Sequence, residues 1–424
     1  MTRPISLILT LAAGSAVAAP TFDPPASVAA PQRPAGVALA DFDGDGATDM
    51  AVATDNLDKI SIFFNSGGTF GAPVNVLTGA GTGPDSLVAS DVDGDGDTDL
   101  VVVLNNINTV RVYLNTAGTF TAGSSAATGA EPRGLTAGDL NGDGRDDYAL
   151  ANRDANSITI LMNNGAGVLT ASTAAAGAEP RAVAIADFNA DGVADIASSA
   201  HDDRNVLIHS GAAGYAVIQT LPVNPITRPE GVVAADFNGD GLADLAAATS
   251  DDFFNAAAVW LNTGAGLGGR TDFLVNGLDV GQIAAADLDG DGDNDLVTSN
   301  QDSNTVSVLE NTGAGAFNQG VAMAAGTRPG EIATGDIDGN GGTDIAVSNR
   351  DSDTVTLYFN QAGSAPCSAA DLADPFGELN FFDVSAYIAS FNAQDPAADL
   401  AAPFGTLNFF DVAAFISLFN AGCP

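Results

Sequence analysis

The sequence predicts an all-β protein, a seven-bladed β-propeller closed by its own N-terminal strand and followed by a small α-helical C-terminal module. Three observations carry this reading. A nine-residue acidic loop, first met as Asp41-Phe42-Asp43-Gly44-Asp45-Gly46-Ala47-Thr48-Asp49, recurs with starts at Asp41, Asp91, Asp139, Asp187, Asp236, Asp287 and Asp336. Its intervals of 50, 48, 48, 49, 51 and 49 residues have the period of a propeller or another repeat array. Between successive loops lie short apolar and β-branched runs bounded by Gly, Asn and Asp, enough for one four-stranded blade per repeat.

Residues 1–18 read as a secretory signal. Arg3 supplies the positive start, Ile5 to Val17 the short apolar core, and Ala16-Val17-Ala18 the small-residue cleavage site. That run is shorter than the ~20 residues a membrane helix needs, and no later stretch qualifies. The expected location is therefore secreted, extracellular or at the cell surface, where disulfides persist.

Residues 19–361 carry the blades. In the first, Gly36 to Ala40 enters the acidic loop and Met50 to Ala53 leaves it; Lys59 to Phe64 and Pro73 to Leu77 follow, separated by the turns Asp55-Asn56 and Asn65 to Thr69. The seventh acidic loop is followed by too few residues for a full blade, its last strand being Thr354 to Phe359. The mature N-terminus, Thr21 to Val28, has the look of an isolated fourth strand, comparable with Ala316 to Val321. It is expected to complete the last blade and so remove the open sheet edges.

The acidic loops are candidate cation sites. Hard cations such as calcium take six to eight oxygen ligands in flexible geometry, and closely spaced Asp side chains supply them. The sixth-position glycine lets the loop curl through a positive φ. The candidate ligands are Asp41, Asp43, Asp45 and Asp49 in the first loop and Asp91, Asp93, Asp95 and Asp99 in the second. Asp139, Asn141, Asp143 and Asp147 follow, then Asp187, Asn189, Asp191 and Asp195, and then Asp236, Asn238, Asp240 and Asp244. The last two sets are Asp287, Asp289, Asp291 and Asp295, and Asp336, Asp338, Asn340 and Asp344. About seven structural Ca2+ ions are expected, pinning the inner hairpin of each blade, since four carboxylates packed without a cation repel one another. The loops are not EF-hands: position twelve is Val52, inside a strand, where that motif needs a bidentate Glu.

The formal net charge is −40, and Lys59 is the sole lysine among 13 basic residues. Such a chain repels nucleic acid and anionic lipid surfaces, so neither is an expected partner. Against that background, Arg33, Arg133, Arg181, Arg228 and Arg328 sit beside a proline that precedes each of five acidic loops by seven residues. They fall at the end of the first strand opposite the acidic loop, around the mouth of the central channel. Two readings stand: local pairing with Glu131, Glu179, Glu230 or Glu331, or an anion-binding mouth for an acidic glycan or a carboxylate. On the same face, Phe253 and Phe254 occupy a turn that is polar in other blades. The pair either anchors a partner or folds back onto blade five.

Enzyme signatures are thin. His201 and His209 fall in one blade toward opposite faces, the latter where sibling blades carry Asn163 or Asn262. No nucleophile–base constellation or phosphate loop is visible, and a non-enzymatic role is expected.

The seven agreeing loops, the Gly-rich turns and the literal Phe70-Gly71-Ala72-Pro73 resemble the FG-GAP/VCBS repeat family, found in integrin α-chain propellers and many secreted bacterial proteins. The resemblance covers residues 21–361 and implies calcium bound between the first and second strands, on one face of the disc.

After a linker, 362–366, residues 367–424 carry a second repeat. Asp371 to Asp383 and Asp399 to Asp411 are each followed by apolar residues at helical spacing, Val384, Tyr387, Ile388 and Phe391, then Val412, Phe415, Ile416 and Phe419. These units resemble a divergent (GC-type) dockerin, which implies a cohesin-like or surface-sorting partner. Ala373, Pro375, Ala401 and Pro403 stand where that family places calcium ligands, which favours a helical pair filled by Phe376 and Phe404 over metal there. Cys367 and Cys423 bracket the module; a disulfide between them would contribute roughly 4 kcal/mol by loop-closure entropy, with free thiols the alternative.

The expected function is that of a secreted, calcium-stabilised binding, adhesion or scaffold protein for a glycan or an extracellular protein ligand. The alternative is a polysaccharide-acting lyase or hydrolase on the same scaffold.

Overall fold

Short apolar strands punctuated by Gly and Asx turns build seven four-stranded antiparallel sheets in the computed structural model, which describes residues 19–251 and 253–361. The expected signal segment 1–18, linker 362–366 and helical module 367–424, with its Cys367–Cys423 pair, lie outside the described residues. The first blade comprises Pro34–Ala40, Asp49–Thr54, Lys59–Phe63 and Val74–Leu77, in that order from the channel outward. A two-residue hairpin, Asn65–Ser66 with Thr69–Phe70, decorates its third turn.

The ring closes as expected. Ala26–Ala29 pairs antiparallel with Thr354–Tyr358, Ala26 facing Leu357 and Ala29 facing Thr354, as the outermost strand of the seventh sheet. A further bridge, Phe22 to Asn360, and the bond from the Gln361 amide to the Thr21 carbonyl (2.8 Å) extend the seal.

Each second strand is buried along its whole length, because it lies mid-blade between two neighbouring blades. That is why these strands read as continuous runs such as Leu100-Val101-Val102-Val103 rather than alternating ones. The core is a set of inter-blade layers; Phe188, Ile208, Leu245 and Trp260 fill the one between blades four and five. The fourth strands face solvent on the rim, with Leu77 77% exposed.

All seven first strands carry an extra residue just inside the channel mouth, as between Pro34 and Val37 opposite Thr54 and Val52. Such a bulge bends the strand and re-aims the residues beside it. Proline fits there because the first residue of a channel-edge strand need not donate to the ladder.

Candidate functional site

Each acidic loop is organised first by its own backbone. In the first, the Asp41 carboxylate accepts hydrogen bonds from the amides of Gly44 (2.8 Å) and Gly46 (2.9 Å). Gly46 takes φ +90°, so the curl demands its lack of a Cβ. The second-position side chain is driven inward: Phe42, Val92, Leu140, Phe188, Phe237, Leu288 and Ile337 are all buried. Asp49 is wholly buried, and its two oxygens accept the amides of Phe42 (2.9 Å) and Asn65 (2.8 Å), tying the loop to the end of the third strand.

The carboxylates fit a cation. Oxygens of Asp41, Asp43 and Asp45 lie within 4.8 Å of one another, as do those of Asp91, Asp93 and Asp99, of Asp287, Asp289 and Asp291, and of Asp336, Asp338 and Asp344. Burial and then neighbouring carboxylates push Asp289 up to about 6; burial, against the pull of two backbone amides, leaves Asp99 and Asp344 at about 6 and Asp295 at about 7. A charged partner is what such acids lack. In the third and fourth loops the Asn takes part of that role: Asn141 Nδ2 donates to Asp147 (3.0 Å) and Asn189 Nδ2 to Asp195 (2.9 Å). Ala190, where other loops have glycine, adopts φ +58°.

Two sets of clasps fasten blade to blade. On the acidic-loop face, the Asn at the end of the third strand reaches the second-position carbonyl of the preceding blade's loop. Asn115 donates to Phe42 (2.8 Å), Asn163 to Val92 (3.0 Å), Asn262 to Phe188 (3.1 Å), Asn311 to Phe237 (2.9 Å), Asn360 to Leu288 (2.6 Å) and Asn65 to Ile337 (2.6 Å). In blade four Gly211 holds this place, its amide on Asp195 (3.0 Å), because a Cβ would stand 2.2 Å from the Ala194 carbonyl oxygen. This corrects the alignment made for His209. That residue faces Ile196 within the sheet, the place of Leu161 and Trp260 in blades three and five. It is buried, bonded to Ser198 Oγ (2.8 Å), and pushed down to about 4 by burial.

On the opposite face, a left-handed Asp or Asn closes the turn between second and third strands, and its side chain accepts the amide just before the next blade's first strand. Asp58 takes Gly83 (3.0 Å), Asn108 Glu131 (3.1 Å), Asn156 Glu179 (3.0 Å), Asn304 Arg328 (2.8 Å) and Asp353 Arg33 (2.9 Å). At the two junctions flanking blade five the clasp residue is replaced, by Arg204 and by Phe254.

The channel mouth on this face opens into a cavity of about 460 Å³. Arg133, Arg181 and Arg328 line it, joined by Arg153 and Arg350 from the turns between second and third strands. Arg33 and Arg228 do not line it. Arg33 has its backbone held by Asp353, while Arg228 joins the strand opposite Ser250 and lines a second cavity. Local pairing is extensive: Arg133 and Arg153 each meet Glu131 at 3.3 Å, Arg181 meets Glu230 at 2.7 Å and Arg350 meets Asp55 at 3.1 Å. Arg328 has no carboxylate within ion-pair distance among the described residues; its Nε lies 3.5 Å from Gln301.

Glu331 escapes the expected pairing. Its Oε1 accepts from Ser86 Oγ of blade two (2.7 Å), and burial pushes its carboxyl up to about 8. Five of its repeat equivalents are the small residues Gly36, Ser86, Gly134, Ala182 and Gly231. A Cβ on Gly36 would meet Glu331 Oε2 at 2.8 Å, so the small residues make the space Glu331 occupies. Glu331 and Gln282 line both the mouth and the channel cavity of about 450 Å³ beneath it.

His201 is buried at the rim, with Nε2 3.0 Å from Glu230 and Nδ1 3.0 Å from Asp202. Of the aromatic pair, Phe253 is 90% exposed while Phe254 is half-buried. Both amides bond to Asp251 Oδ1 (2.7 and 2.6 Å), which sets the turn.

Sequence reasoning missed Arg153, Arg350 and the channel position of Glu331, which no local pattern marks. It also missed both clasps, although the recurring Asn after each third strand was there to be aligned.

The FG-GAP-like repeat family matches the chain over residues 41–102, 91–150, 139–198, 236–298 and 287–347, more than half its length. No curated protein matches by sequence. A similar solved structure is a crystal structure of BBS1N in complex with ARL6DN, soaked with lead. It is 11% identical with a TM-score of 0.58, covering 80% of this chain and 96% of that one. At that identity the likeness is one of fold.

Proposed function

The chain belongs to the FG-GAP-like repeat family, and from that premise we propose that it is a secreted binding protein whose ligand docks on the face opposite the acidic loops. The observation that carries this reading is the mouth cavity, where five arginines of a chain with net charge −40 converge. Asp85, Glu230 and Glu331 share its lining; burial pushes Glu331 up to about 8, so it is mostly uncharged at neutral pH. Arg328 is the cation left for an incoming carboxylate. The ligand class is an acidic glycan or a carboxylate-bearing segment of an extracellular protein. That the similar BBS1N structure is of a complex with ARL6DN fits a protein ligand.

The acidic loops would serve as calcium staples, Asp41, Asp43, Asp45 and Asp49 and their equivalents holding the ion that offsets their mutual repulsion. The dockerin-like tail would tether or sort the protein through a cohesin-like partner. Among the described residues no helix is long and apolar enough to cross a membrane.

The test uses the full chain against immobilised uronic-acid oligomers and acidic peptides, with calcium and with chelator. Binding to either class that the Arg133→Glu/Arg181→Glu double variant loses at least tenfold supports the mouth. Retained binding removes it, and release of shortened products from a uronic-acid polymer replaces it with a lyase or hydrolase.

A further inference from the structure

The junctions flanking blade five are where the repeat departs from its own rules. Where five junctions use a left-handed Asp or Asn as the clasp, blade four offers Arg204, which can only donate, and blade five offers Phe254, which has no side-chain acceptor. Between them opens a second cavity, about 610 Å³, separate from the mouth and touching it only at Glu230.

Its lining is unlike the rest of the surface. Phe253, Ile226 and Leu278, from three different loops, are 90%, 55% and 54% exposed and face this one space. The Phe253 amide donates to Asp251 Oδ1, and its side chain stands outward from that turn. An exposed aromatic that a partner would desolvate inside a polar rim has the makings of a binding hot spot.

The rim carries charges of both signs, of which Glu230 is already paired with Arg181 and Asp251 already accepts the Phe253 and Phe254 amides. At the junction of blades four and five stand Arg204 and Arg228, neither with a carboxylate within ion-pair distance among the described residues; the Arg204 guanidinium donates to the Pro225 carbonyl (2.7 Å). On the blade-six side stand Asp279 and Asp302, which likewise make no ion pair among the described residues. Departures from an otherwise consistent repeat are expected where function requires them.

We propose that this groove docks an extended segment of a partner protein carrying an apolar side chain between an acidic and a basic one. The apolar side chain covers Phe253, Ile226 and Leu278; the acid meets Arg204 and Arg228; the base meets Asp279 and Asp302. This site shares only Glu230 with the mouth, and its partner can be a different molecule.

The test is fluorescence anisotropy of the full chain with labelled peptides of the pattern Asp-Gly-Leu-Gly-Lys and its reversed order, each flanked by glycines, titrated to millimolar protein. One order binds saturably; Phe253→Ala weakens it at least tenfold, and replacing the peptide's Leu by Ser does the same. Exchanging the two charged rim sets, with Arg204→Asp, Arg228→Asp, Asp279→Arg and Asp302→Arg together, shifts preference to the opposite order. Phe253→Ala is safe for the fold because the side chain is exposed, and circular dichroism checks it. Absence of saturable binding by either order, or binding indifferent to Phe253→Ala, overturns the proposal.

Discussion

Asn163 Nδ2 of blade three donates to the backbone carbonyl of Val92 in blade two, 3.0 Å away and out of contact with solvent. Six such bonds run around the ring, so every acidic loop except Asp139–Asp147 is braced by the blade that follows it. The acidic loop and the clasp that closes the disc are thus one structure. Anything that disorders a loop is felt at the next blade.

Replacing a clasp therefore has a cost set by the carbonyl it strands. Asn163→Ala or Asn311→Ala should destabilise the protein by about 1–3 kcal/mol, the price of a buried polar group left unsatisfied. Urea denaturation measures it, and a loss below about 0.5 kcal/mol would contradict the bracing role. Because Gly211 omits the clasp, amides of the Asp139–Asp147 loop should exchange with deuterium sooner than those of the other six loops.

Calcium should bind with a stoichiometry near seven and raise the melting temperature. One saturated site at a hundred times its dissociation constant contributes about 2.7 kcal/mol. Isothermal titration and elemental analysis read the count; two or fewer ions per chain would sink the staple role. Asp287→Ala should remove one ion without removing the others.

Glu331 makes stability fall with pH. Its carboxyl is raised from 4.5 to about 8 on folding, chiefly by burial. A group whose folded value lies above its unfolded one contributes stability that is fully present below the unfolded value and is lost as pH rises through the folded one. The urea midpoint should drop between pH 5 and pH 9, and Glu331→Gln should flatten that part of the profile. An unchanged slope in the variant would assign the dependence elsewhere.

How much of this was legible depends on the range of the interaction. The blade count, the strand order and the ring closure followed from local pattern: a fixed spacing of Asp-rich turns and an unpaired strand at the N-terminus. The acidic clusters were legible because their residues lie within nine positions of one another. The clasps were half-legible; the Asn recurs, but its acceptor lies in another repeat, 71 residues before it for Asn163 and 272 after it for Asn65. Five arginines were placed at the mouth by analogy between blades. The structure keeps Arg133, Arg181 and Arg328 there and moves out Arg33 and Arg228; Arg228 has joined its strand opposite Ser250, whereas Arg33 shares the left-handed backbone and the clasp of Arg328 and is set apart by where its side chain goes.

By itself the sequence determined the repeat and everything periodic in it, since identical spacing imposes identical strands, turns and loops in every blade. What only the tertiary structure decided is where the seven copies cease to be equivalent. Glu331 fills a channel that small residues elsewhere leave open, Gly211 drops one clasp, and Arg204 and Phe254 drop two more and open a groove. Each of these is a relation between blades, fixed only when the ring brings distant residues to one place.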